Sequence, residues 1–501
     1  MTRNLSTQRP ASLARRGLLR LGAAFAGSCD ASASAGAAVP ASAKSRTVWA
    51  TRLDSHPVYA HTFQHSVRKG EAIDVTLALS PGKDPVRARI LFYRLGDYPW
   101  GRKLIWTSQL VPVGARYTPI TAASTGTGWT PSLSVPTAEW PEGCYTADVA
   151  VEGAAEPLYN VVQAVVRPAA GAGDVLVKLS TNTWQAYNGW GGHSLYAVGD
   201  DDSLRGTIVS FDRPTPASLF EYEGFLVNWL EALAAREGFR VDYATNYDVH
   251  ANPNLLDSYK LVICGSHDEY WSKEEFDAFE RRVGLQGGNT IFFGANTGYW
   301  QVRYSDVDMA PGVSARGRQL VCYKSLDDPV ARMQGSNDPL LWVTARFRDG
   351  GRRPETMLTG VGYQSWFPPG DGSLRYPYFV ARTVPRFFEG TGLAVGDRLA
   401  DVVGYEWDNC DPEGDGSRLF RPGVSRIQEL PLAAVQVLFT GSPIDIAGRS
   451  GKAEAVYFRS ASGAKVFSSG SIRWAWGLGK KDFESNAFQR FNANLVRDFL
   501  A

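Results

Sequence analysis

The sequence predicts an α/β protein: an immunoglobulin-like β-sandwich over residues 45–168, then a doubly wound α/β domain over residues 174–501. Three observations predict it. Residues 45–168 carry short runs of alternating apolar and polar residues, separated by Gly, Pro and Asp. From residue 174 the period changes, and short apolar runs alternate with amphipathic stretches of helical spacing. At 501 residues the chain is too long for one ordinary core, which argues for two to three domains.

Residues 1–43 read as a leader rather than as fold. Arg15-Arg16-Gly17-Leu18-Leu19-Arg20 is a twin-arginine pattern, followed by a weakly apolar stretch and by Ala41-Ser42-Ala43, an A-x-A cleavage site. The expected location is therefore periplasmic or secreted. Cys29 is also weighed as a lipid-bearing cysteine, but Ala26 stands where a large aliphatic residue is usual. The leader's apolar stretch is too short to span a bilayer, and no later segment is apolar enough to do so.

The sandwich strands are clearest at Ala72 to Leu79, Ala88 to Tyr93 and Cys144 to Val151, where side chains alternate between two faces. Arg167 to Gly173 is the linker. Asp174 to Leu179 opens the second domain as a short buried strand. Ser218 with Glu221 forms a capping-box pattern ahead of a helix presenting Phe225, Leu226, Trp229, Leu230 and Leu233, and Gly238 ends it. Strands follow at 239–243 and 259–264. Ser272 with Glu275 starts a second helix, lined by Phe276, Phe279 and Val283. Another strand covers 290–293. The less regular stretch from about 305 to 425 reads as a β-rich insertion. Residues 455–458 and 465–468 form a strand pair, and 488–500 a closing amphipathic helix.

The formal net charge of +1 leaves no basic footprint for nucleic acid. Fifteen Trp and 21 Tyr suit a protein that stacks flat ligands or sugars, on composition alone. Five Cys match no zinc spacing, and Cys264, within an apolar run, reads as an inert core thiol. Export would permit disulfides without fixing their pairing.

In open α/β sheets, ligands bind beyond the carboxyl ends of the strands. Three predicted strands end in glycine, polar and aromatic residues: Asn182 to His193, Gly265 to Trp271, and Gly294 to Trp300. Within them stand Tyr187, His267, Glu269 and Asn296. Each has a plain reading: loop packing for Tyr187, helix-terminus charge for Glu269, a turn for Asn296. Three such loops side by side argue for a site. Glu406 and Asp408 lie two apart and share a strand face, or else sit on a surface hairpin. Carboxylate and phenolate are hard anionic donors and suit ferric iron better than zinc. No G-x-C-x-G or G-x-S-x-G elbow is present for a nucleophilic hydrolase.

The segments NTWQAYNGWGGHSLY (182–196), GSHDEYW (265–271) and GANTGYW (294–300) resemble the C-terminal domain of the N,N-dimethylformamidase large (β) subunit family. VGYEWD (403–408), VFSSGSIRWAWGL (466–478) and FYRLGDY (92–98) are similar to it too. The resemblance implies a class I glutamine amidotransferase-like α/β domain without the cysteine. It implies a mononuclear ferric iron held by two tyrosines and one glutamate. Tyr187 and Glu269 match two of these ligands, and Tyr145, from the upstream sandwich, is matched to the other tyrosine. It places His267 beside the metal and makes Asn296 the active-site asparagine, with His267, Glu269 and Asn296 as the catalytic set. The expected reaction is hydrolysis of a non-peptide C–N bond in a small amide, with a homo-oligomer or a small partner subunit as assembly. The competing expectations are an exported ligand- or carbohydrate-binding protein on the same fold, and a structural iron without turnover.

Overall fold

The structure, a computed structural model, describes residues 57–196, 205–215, 221–306, 316–332, 339–350, 352–368, 373–412, 432–481 and 483–501. The predicted leader, Cys29, Ser218 and parts of the predicted insertion lie outside the described residues.

The alternating N-terminal runs form two antiparallel-rich sheets. One joins Val58–Thr62, Ala72–Leu79 and Leu133–Pro136. The other is built on Val86–Leu95, Gly143–Val151 and Leu158–Arg167. Their inner faces share one apolar core, with Ile73, Val75 and Leu77 from the first sheet and Ile90, Phe92 and Val149 from the second. Period-2 alternation buries one face of each sheet and so fixes the register.

The second unit is a nine-stranded sheet. Val241–Thr245, Val175–Leu179, Leu261–Cys264, Asn289–Phe292 and Lys465–Ser468 lie parallel, in that spatial order. Ala453–Arg459, Gln436–Gly441, Tyr376–Val380 and Arg398–Val403 extend it antiparallel. The chain runs from Val175–Leu179 outward to Val241–Thr245, then crosses back to Leu261–Cys264. That reversal opens a crevice at the carboxyl ends of the strands. Predicted strand edges shift by one or two residues, and the helical elements match closely. Glu221–Glu237 buries Leu226, Trp229, Leu230 and Leu233. Gly238, at φ +77°, closes the helix by donating its N–H to the Ala234 carbonyl. Ser272 and Glu275 form both bonds of a capping box at the start of Lys273–Gly284. Asn486–Leu500 buries Phe488, Phe491, Leu495 and Phe499 against the sheet.

The predicted 305–425 insertion is not peripheral: Tyr376–Val380 and Arg398–Val403 from it hydrogen-bond into the main sheet. The aromatic content is largely core, since Trp271, Trp407, Trp474 and Trp476 are fully buried. Cys144, Cys264, Cys322 and Cys410 are buried free thiols, and burial pushes the Cys264 thiol well above its ordinary pKa. Among the described residues, no helix is long and apolar enough to cross a membrane.

Candidate functional site

The strand Val175–Leu179 leads straight into the short helix Thr181–Tyr187. Asn182 locks this helix to its neighbours. Its backbone N–H donates to Asn246 Oδ1 (3.0 Å) and its side-chain amide to the Tyr270 carbonyl (3.0 Å). Tyr187, at the last turn, is thereby aimed over the end of the next strand.

That strand, Leu261–Cys264, runs into Gly265 to Glu269. Thr183 of the helix receives the Glu269 backbone N–H at 3.1 Å. The N–H groups of Tyr299 and Trp300 donate to the Glu269 carbonyl at 3.0 and 2.9 Å. Gly294, opening the third loop, must be glycine, because a Cβ there would lie 2.1 Å from the Ser266 carbonyl oxygen. The two loops thus close against each other with their side chains facing the crevice.

Beneath the loop lies a buried charge cluster. Lys178, fully buried, sits 2.6 Å from Asp268 and pairs also with Glu275, with its ammonium 3.9 Å from the Trp271 ring centroid. Asn246 donates to both acids, at 3.2 and 2.8 Å. Burial opposes the Lys178 charge, but Asp268 and Glu275 outweigh it and raise its pKa. Burial pushes Glu275 up to about 7, with Lys178 pulling the other way. Lys178→Met leaves two buried carboxylates without their cation, so it is expected to destabilise the fold by about 3–5 kcal/mol. The loss should be smaller in mild acid, where the carboxylates can take up protons, than in mild alkali. Chemical denaturation at the two conditions checks this. An unchanged midpoint in mild alkali would show that the cluster does not hold the loop.

Three buried or half-buried side chains touch Glu269, and a fourth, Tyr270, joins them through Tyr196. Tyr187 donates its phenol to Glu269 Oε2 at 2.9 Å. The Tyr196 hydroxyl lies 3.0 and 3.1 Å from the two Glu269 oxygens and 2.8 Å from the Tyr187 hydroxyl. Tyr270 donates to Tyr196 at 2.6 Å. The Tyr187 and Tyr196 rings stack at 4.2 Å. Burial, and then the Glu269 charge, raise the Tyr187 and Tyr270 phenols well above their ordinary pKa. His267 Nε2 is 3.2 Å from Glu269 and 3.6 Å from Glu406, yet out of hydrogen-bonding alignment with either. Its Nδ1 lies 3.0 Å from the Tyr405 hydroxyl. Burial lowers the His267 pKa, but the two glutamates outweigh it and hold it at about 9.

Glu406 and Asp408 do share one face of a buried strand, Glu406–Asn409, paired with Gly362–Trp366. Both acids hold Asn296. Its side-chain amide donates to Glu406 at 2.7 Å, and its backbone N–H to Asp408 at 2.9 Å. Asn296 takes a left-handed φ of +57° at the strand end, a strained backbone typical of functional turns. Its Oδ1 is buried and has no hydrogen-bond partner. His267, Glu269 and Glu406 each place a ligand-type atom within 4.8 Å of the others.

Tyr187, His267, Glu269 and Asn296 lie together in the structure, linked through Glu269 and Glu406. Tyr145 requires correction. Its phenol donates to the Pro141 carbonyl and its ring packs on Trp140 at 4.9 Å, inside the sandwich core. Its strand places it on the inward face, so the sandwich does not deliver it to Glu269. The second phenol at Glu269 belongs to Tyr196, nine residues after Tyr187 in the same loop segment. Tyr196, Tyr270 and Tyr405 were not singled out from the sequence, although all three stand inside the aromatic motifs quoted above.

The donors fit a hard cation. Two phenol oxygens and a carboxylate converge within hydrogen-bond distance, and the buried His267 Nε2 stands within ion-pair distance of that carboxylate.

The family described as "N,N-dimethylformamidase beta subunit-like, C-terminal" matches residues 89–488. The N,N-dimethylformamidase beta subunit of Alcaligenes sp is 26% identical over 296 residues, covering 55% of this chain and 36% of that protein. The N,N-dimethylformamidase beta subunit of Paracoccus aminophilus is 26% identical over 299 residues, again 55% and 36%. The chain thus spans about a third of the length of these curated relatives.

Proposed function

We propose, from the premise that this chain belongs to the N,N-dimethylformamidase beta subunit-like family, that it is an iron-dependent hydrolase of the C–N bond in small amides. The observation that carries this reading is the convergence of Tyr187, Tyr196 and Glu269 beside His267, Glu406 and Asn296. The strand order, with its crevice at the reversal, supports an amidotransferase-like α/β domain after an immunoglobulin-like sandwich.

Tyr187, Tyr196 and Glu269 would hold the iron, replacing the phenol protons they now share. When bound, iron supplies a Lewis acid that polarises a carbonyl and lowers the pKa of water. The rest falls to the side chains. Glu406 stands beside both His267 and Asn296, placed to accept the proton released by attacking water. His267, its Nε2 facing the same space, can return a proton to the departing amine nitrogen. Asn296 Oδ1, an unused buried acceptor, orients an N–H or O–H of substrate or water. The balance is that of amide hydrolysis: water adds to the carbonyl carbon, the C–N bond breaks, and acid and amine leave.

Phenolate bound to ferric iron absorbs visible light, so the protein as isolated should be coloured and carry about one iron per chain. Tyr187→Phe keeps the ring and removes the oxygen. The expected result is loss of iron and colour with the circular dichroism of the folded protein retained. A wild-type protein that is colourless, metal-free and unable to take up added iron would favour the ligand-binding reading.

A further inference from the structure

A second cavity lies on the other side of the helix Thr181–Tyr187. It spans about 620 Å³ of atom-free space, open solvent included, between residues of the sandwich and of the α/β domain. Thr181, Trp184 and Gln185 of that helix line it, whereas Thr183 and Tyr187 serve Glu269. None of His267, Glu269, Glu406 or Asn296 touches it.

Its polar lining is spoken for, with one exception. Gln64 donates to Asp74, Gln163 to the Asn160 carbonyl, and Gln185 to Thr215. Arg213, fully buried, gives its guanidinium to the carbonyls of Ser210, Trp190, His193 and Gln185, all neutral. Arg318 is different. It is 2% exposed, and its Nε and Nη2 are buried without any hydrogen-bond partner. These two nitrogens form one edge of the guanidinium, the edge that meets both oxygens of a carboxylate.

The charge count points the same way. Burial lowers both arginines, Arg213 to about 9 and Arg318 to about 10, and at neutral pH both still carry charge. Burial keeps His61 and His65 neutral, with His61 down at about 4. Among the described residues, the acid facing these groups is Asp212. It is turned to His61 and the Thr127–Gly128 turn, at 3.4 Å each, and makes no ion pair with Arg318. Two buried cations against one carboxylate leave a deficit of one negative charge. A buried cation without a partner is costly enough that such sites acquire one. Leu179, Trp184 and Phe211 supply apolar walls for the rest of a ligand.

We propose that this cavity is a binding site for a small organic monocarboxylate, held by the guanidinium of Arg318. The site is independent of the metal centre and does not rest on the catalytic reading.

The test uses the full chain as purified, with sodium acetate and sodium butyrate as probes and sodium phosphate at matched ionic strength as control. Calorimetry is expected to show one saturable carboxylate site per chain, and thermal unfolding a Tm that rises with carboxylate concentration. Arg318→Lys keeps the charge and loses the fork, so binding should weaken by about tenfold or more. Arg318→Met should abolish binding without lowering the Tm of the unliganded protein, since it removes an unpaired charge. Tyr187→Phe, which probes the iron, should bind the carboxylate as wild type does; loss of binding there would move the ligand to the metal centre and overturn the proposal. It is also overturned if no carboxylate binds saturably, if Arg318→Lys binds like wild type, or if phosphate binds as tightly as acetate. If Arg318→Met does not fold, Arg318 has a structural role and Arg318→Lys decides.

Discussion

Glu269→Gln is expected to release the metal and stop turnover together, in a protein that still folds. The glutamate receives Tyr187 and Tyr196 and faces His267, and every one of these partners offers it a donor. Gln has almost the same shape. It removes the negative charge that offsets a cation and turns one acceptor oxygen into an NH2 group facing phenol donors. The lost charge stabilisation is several kcal/mol, so turnover of small formamides should fall by roughly 10³-fold or more. Elemental analysis and a turnover assay on the same preparation check it. A Glu269→Gln protein with its full complement of iron would sink the assignment of Glu269 as a ligand.

His267→Asn should behave differently. The histidine is anchored through Nδ1 near Tyr405, and its Nε2 stands within ion-pair distance of Glu269 and Glu406. That is the placement of a proton carrier. Iron and colour should largely persist, while turnover falls by roughly 10²–10⁴-fold, the usual contribution of a positioned acid or base. The two variants therefore separate holding the metal from moving the proton. A wild-type rate would remove His267 from the chemistry. Loss of iron would make it a direct ligand and change the donor set.

Much of this site was legible because of where its residues stand in the chain. Tyr187, Glu269 and Asn296 each follow a short apolar strand, and the ends of parallel strands converge on one crevice. Glu406 was harder. Its spacing from Asp408 put both acids on one strand face, but a surface hairpin fitted the spacing equally well. Only its pairing with Gly362–Trp366, outside the nine-stranded sheet, sets that strand beside Asn296. Tyr196 was missed because a loop of glycines separates it from Tyr187, and spacing does not say which way such a loop turns a ring. Tyr145 was misplaced despite a local signal. The alternation that marks Cys144 to Val151 as a strand also assigns every second side chain to an inner face, and Tyr145 is on it with Ala147 and Val149.

The groups at the crevice come from four chain segments, the first at Tyr187 and the last at Glu406, which stands on the separate two-stranded sheet formed with Gly362–Trp366. A cation there would have no local nucleus to bind to: neither the Tyr187–Tyr196 segment nor the His267–Glu269 loop alone encloses it. Capture of the proposed iron would come after the long-range loops have closed, when their entropy has already been spent. With iron bound as proposed, colour would be a gauge of completed folding. It should vanish on denaturation in the same transition as the sheet, shift with free iron concentration by mass action, and be absent from any truncated chain that ends before the Glu406 strand, however native its remaining helices.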